Sequence, residues 1–126
     1  MVIITSNAEK ELPDAFLRRC VFHYIAFPDP HEMEAIVRVH HPGLEDALLG
    51  AALETFYVLR SFEGLQKQPS TSELIDWVQA LVIGGIAPER VVAELPFLGV
   101  VLKTPQDVEM AQRHLAVRAR RAAHEL

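Results

Sequence analysis

Apolar residues change their spacing once along this chain, near Pro30. Before that point they come in short unbroken runs. Val2-Ile3-Ile4-Thr5 is β-branched with no alternation, the pattern of a strand buried on both faces. It stops at Ser6-Asn7, whose short polar side chains favour a turn. Residues 11–19 read as a short helix, with Pro13 and Asp14 in the first turn and Arg18 and Arg19 in the last, both placed to suit the helix dipole. Residues 21–27, Val-Phe-His-Tyr-Ile-Ala-Phe, form a second strand candidate, ended by Pro28-Asp29-Pro30.

After Pro30 the spacing becomes helical. Met33, Ile36, Val37 and His40 share one helix face, and His41-Pro42-Gly43 ends it. A longer helix runs over residues 44–62, with Leu44, Leu48, Ala51, Val58 and Leu59 as its apolar positions and Gly64 as its stop. Ser70 and Glu73 form a capping box for a helix with the stripe Leu74, Trp77, Val78 and Leu81, closed by Gly84-Gly85. Residues 88–95 make a short helix stopped by Pro96. Thr104 and Pro105 open the last one, striped by Val108, Ala111, Leu115 and Ala119. The pattern predicts a mainly α chain: an α/β segment of two strands and one helix over residues 1–29, then an all-helical domain over 30–126. An isolated strand pair is marginal in water, and two strands flanking one helix do not close their own hydrogen bonds. The expectation is therefore that residues 1–29 are the end of a larger α/β domain that begins upstream.

Composition narrows the function classes. Half of the 126 residues are apolar and 23% are charged, a globular balance for one ordinary domain. Twelve Lys and Arg against seventeen Asp and Glu leave a net charge of −5, which argues against a nucleic-acid binder. The longest apolar stretch, residues 77–87, is far short of the roughly 20 residues that span a bilayer. One cysteine, Cys20, excludes an internal disulfide and fits a reducing cytoplasm, and its place at a strand start predicts burial. No export signal is visible after Met1.

Two stretches carry a resemblance. Val2-Ile3-Ile4-Thr5-Ser6-Asn7 followed by Glu11-Leu12-Pro13-Asp14-Ala15-Phe16-Leu17-Arg18-Arg19-Cys20, and later Gln66-Lys67-Gln68-Pro69-Ser70-Thr71-Ser72-Glu73-Leu74-Ile75-Asp76-Trp77, resemble the second half of a MoxR-like AAA+ ATPase. The resemblance runs from Val2 to about Ile83. It implies a helical lid domain preceded by the end of the nucleotide-binding core. It implies that Asn7 is the sensor-1 residue, orienting the water that attacks the γ-phosphate, a task that suits a neutral amide able to donate and accept. Arg19 takes the position of an arginine finger that reaches the neighbouring subunit's nucleotide, with Arg18 as the backup. Family members place an arginine where Ser72 stands in the sensor-2 helix, so either Lys67 in the preceding loop substitutes for it or the protein does without a cis cation there. The parent protein would use ATP and Mg²⁺, form homo-oligomeric rings, often hexameric, remodel client proteins, and pair with a partner carrying a von Willebrand factor A-type domain.

No G-x-x-x-x-G-K-[ST] and no Walker B run occur in the 126 residues, so the chain by itself lacks the phosphate cradle and the magnesium carboxylate. His31, His40 and His41 read as surface or cap residues, not as metal ligands. Arg113, Arg118, Arg120 and Arg121 read as a solvated basic face with a possible partner-binding role. The competing class is an autonomous helical protein–protein interaction module, with the strands as a clasp. Isothermal titration of this chain with ATP and magnesium is expected to give no micromolar isotherm; a clear one would contradict the missing cradle.

Overall fold

A helix closes its backbone hydrogen bonds within itself, and after Asp29 most of this chain does so. The computed structural model describes residues 1–6 and 12–124. Seven helices follow in order: α1 Asp14–Leu17, α2 Pro30–His40, α3 Asp46–Arg60, α4 Thr71–Ile83, α5 Pro88–Glu94, α6 Leu98–Val101 and α7 Pro105–His124. Among the described residues there is no strand.

Local chemistry sets most helix boundaries. The Asp29 carboxylate accepts the Glu32 N–H at 2.8 Å while Glu32 accepts the Asp29 N–H at 3.4 Å, so a second capping box starts α2, with Pro30 in its first turn. Ser70 and Glu73 cap α4 in the same reciprocal way. Thr104 Oγ accepts the Asp107 N–H at 3.2 Å at the start of α7. Gly84 caps α4, and Gly85 takes φ +62°, a conformation that carries no penalty without a Cβ. Arg38 on α2 reaches the Leu44 carbonyl and the Asp46 carboxylate, which ties the end of α2 to the start of α3.

The core forms between α3 and α4. Phe56 and Leu59 of α3 and Leu74, Trp77, Val78 and Leu81 of α4 are fully buried, joined by Met33 and Val37 of α2, Val91 of α5 and Ala111 of α7. α5 packs on α3, α6 on α4, α2 on both α3 and α4, and α7 on α6. Most apolar positions of the predicted stripes, among them Met33, Val37, Leu48, Leu59, Leu74, Trp77, Val78, Leu81 and Ala111, lie in this core, whereas His40 is exposed. The spacing rules do not give α6. It exists because Leu95 and Phe97, on either side of Pro96, both take left-handed backbone angles, φ 48° and 57°. Non-glycine residues rarely stay there unless the surroundings hold them. Here Trp77 donates its indole N–H to the Pro96 carbonyl at 2.8 Å, so the largest buried side chain of the core pins the reversal from below.

The N-terminal expectation is corrected in part. Among the described residues, Val2–Thr5 and residues 21–27 have no ladder partners and form no strand, because no described strand stands beside them to take their N–H and C=O groups. Their side chains are correspondingly open: Val2 is 85% exposed and Ile25 80%. The helix expected over residues 11–19 is a single turn, Asp14–Leu17, with Arg18 as its C-cap; Glu11 lies outside the described residues. Cys20, expected to be buried, is exposed, since the strand that would have enclosed it is not formed.

Substituting Trp77→Phe removes the indole hydrogen bond to the Pro96 carbonyl and leaves space under the turn. It is expected to lower stability by about 2 kcal/mol in urea unfolding, with Leu95–Phe97 amides exchanging faster than those of α3.

Candidate functional site

Three parts of the chain meet at the C-terminal end of α3: the end of the N-terminal segment, the loop over residues 61–70, and the first turn of α4. Phe27 lies on the Phe56 ring, centroids 6.2 Å apart and 25° from parallel, and meets Tyr57 edge-on at 6.4 Å. The Tyr57 hydroxyl donates to the Pro28 carbonyl at 2.7 Å. Burial pushes the Tyr57 phenol above its ordinary pKa, so it remains a donor across the neutral range. The Arg60 guanidinium stacks over Phe27, 3.4 Å from the ring centroid. Its edges donate to the Pro69 carbonyl and, at 3.4 Å, to the Gln68 side chain, which returns a hydrogen bond to the Arg60 carbonyl at 3.1 Å. Burial lowers the Arg60 pKa, yet a guanidinium stays charged throughout the ordinary range.

The loop itself is held from α7. Asp107, only 1% exposed, accepts the Gln66 N–H at 2.9 Å and the Lys67 N–H at 3.2 Å. A buried carboxylate is tolerated there because it sits in the first turn of α7, on the positive end of the dipole, and accepts several N–H groups. Glu73, 7% exposed, works similarly at α4: it accepts the Ser70 N–H at 2.8 Å and the Lys67 ammonium at 3.0 Å. Burial alone would raise the Glu73 carboxyl, but the Ser70 and Lys67 contacts outweigh it and hold the pKa below the ordinary 4.5.

Of the residues singled out from sequence, Lys67 and Ser72 belong to this neighbourhood. Lys67 is engaged by Glu73, and Ser72 is exposed in the first turn of α4. Arg18 and Arg19 lie exposed at the end of α1, and among the described residues no hydrogen bond or ion pair joins their side chains to the junction. Asn7 lies outside the described residues. His41 rests its Nε2 3.3 Å from the Ile75 carbonyl, while His31 and His40 are exposed. Arg60 and Asp107, which tie the junction together, carry no motif. Asp107 stands three residues after Thr104 and reads as an ordinary first-turn acid, and nothing in the spacing of Arg60 announces a stacked aromatic 33 positions earlier.

A separate groove of about 680 Å³ opens between the α2–α3 turn and the α4–α5 turn, lined by His41, Leu44, Leu48, Leu81, Val82 and Ile86 among others. Its lining is mainly apolar, with His41 and Glu45 as its ionisable groups. Compared with known proteins, the chain matches no family model, no curated protein and no solved structure.

Because the folded pKa of Glu73 lies below its unfolded value, the carboxylate stabilises the fold above about pH 4.5, and that contribution fades as pH falls through the lowered pKa. Glu73→Gln is expected to cost about 1 kcal/mol at pH 7 and to flatten the loss of stability between neutral pH and roughly pH 3.5. Urea midpoints at the two pH values check it.

Proposed function

We propose that this chain is the C-terminal part of a MoxR-like AAA+ ATPase: the last elements of the nucleotide-binding core over residues 1–29 and the helical lid over 30–126. The observation that carries the reading is the contrast between the two parts. Residues 30–124 bury a continuous apolar core, whereas the β-branched run Val2–Thr5 and the aromatic run 21–27 leave large apolar side chains in solvent. Two such runs, flanking a Leu-Pro-Asp-Ala turn that ends in paired arginines, have the composition of buried parallel strands that lack their sheet.

On this reading the parent hydrolyses ATP with Mg²⁺ in a ring of identical subunits and remodels client proteins, with a von Willebrand factor A-type protein as partner. Asn7 positions the attacking water, and Arg19 stabilises charge on the phosphoryl group held by the next subunit. The exposure of Arg18 and Arg19 suits a role in trans. At Lys67 the support is weaker in kind: its ammonium is paired with Glu73, so reaching a phosphate requires exchanging a carboxylate for it. The fragment alone is not catalytically competent.

The second reading, an autonomous helical interaction module, is favoured by one observation: among the described residues, none before Phe27 contributes a side chain to the α2–α7 core. The coding sequence upstream of Met1 separates the two, since the motor reading requires a Walker A motif there and the module reading does not. In a chain carrying that upstream half, Arg19→Ala is expected to lower ATP turnover by about 10³-fold with ATP affinity almost unchanged, and Arg18→Ala to do less. Equal, small effects from both would return the pair to helix-end cations.

A further inference from the structure

We propose that Arg60 is a mechanical coupler: it links the direction in which residues 1–26 leave the helical body to the conformation of residues 68–70 at the start of α4. The inference rests on contacts of one planar group and holds under either functional reading. Phe27 and Gln68-Pro69 are far apart in sequence, and among the described residues no hydrogen bond or ring contact joins them. Both are engaged by the same guanidinium. Its face covers the Phe27 ring at 3.4 Å, and its edges donate to the Pro69 carbonyl and the Gln68 amide oxygen. A planar fork cannot turn to follow a shifting ring without misaligning its edge donors, so a displacement at one partner is felt at the other.

Both partners sit on stiff backbone. Phe27 is followed by Pro28, whose carbonyl is tied to Tyr57, and Pro69 directly precedes Ser70, the cap of α4. The other end of the loop is independently fixed, because Gln66 and Lys67 donate to the buried Asp107. The loop is therefore anchored at Gln66-Lys67 by Asp107 and at Ser70 by Glu73, and Arg60 holds residues 68 and 69 between them. Whatever takes up the exposed N-terminal segment, Arg60 transmits its pull to the first turn of α4, where Glu73 holds Lys67.

The test is amide exchange by NMR on the whole 126-residue chain, reading the Gln68 side-chain amide, which donates to the Arg60 carbonyl. Phe27 is 37% exposed, so Phe27→Leu leaves the core intact. It is expected to speed exchange at Gln68 about two- to five-fold, the size of a lost cation–π contact, although the substituted residue makes no hydrogen bond to Gln68 or Pro69. Gln66 and Lys67 should stay unchanged. Arg60→Lys keeps the charge and the stem but loses the fork. In that background Phe27→Leu should have no further effect at Gln68, while α4 amides over Leu74–Leu81 remain slow and report an intact fold. No change at Gln68 on Phe27→Leu, or the same change with and without the arginine, overturns the proposal.

Discussion

The structure depends on where backbone hydrogen bonds can be closed. A helix satisfies its own N–H and C=O groups, whereas a strand needs a neighbour for every one of them. From Pro30 to His124 the chain is built of helices with short turns, and its apolar stripes meet in one core. Before Asp29 the residues with the strongest strand character pair with no other described segment, and their apolar side chains stay in solvent. An exposed run of β-branched and aromatic residues next to a fully packed helical body is the central fact about this molecule.

The helical body is held by apolar packing, but its irregular parts are fixed by a few polar side chains that act at a distance in sequence. Trp77 fixes the Leu95–Phe97 reversal, Asp107 fixes the middle of the 61–70 loop, and Arg60 fixes both the end of that loop and the approach of Phe27. Each group is buried or half-buried and each finds its hydrogen-bond partners; among the described residues no buried side-chain nitrogen or oxygen lacks one. That matters for stability, because a buried donor or acceptor left open costs more than a satisfied one contributes. The same three groups also determine how α4 is presented, since α4 begins where the loop ends and carries Trp77 at its centre.

Charge follows the same division. The ion pairs along the helices, Arg90 with Glu94 and Arg38 with Glu34, are exposed and contribute little. Glu73 with Lys67 differs because the carboxylate is buried and shared with a helix cap, so its ionisation is linked to the order of the loop before it.

What the sequence determined by itself is the local part. The apolar periods at Met33–Val37, Leu74–Leu81 and Val108–Leu115 foretell α2, α4 and α7, and Ser70, Thr104, Pro88 and Gly84-Gly85 foretell where helices begin and end. These signals are legible because helix periodicity and capping act within one or two turns. The tertiary structure decided everything that needs a distant partner. The runs at Val2–Thr5 and 21–27 have strand composition, yet pairing is a property of two segments and no described segment offers the second edge. Cys20 followed the strand, so its burial failed with it. α6 exists because Trp77 holds a left-handed turn that no local rule selects. Lys67 pairs with Glu73, a pairing that follows from the loop folded over α4. Arg60 and Asp107 carry no signature at all, since what makes them important is the residue each one meets across the fold.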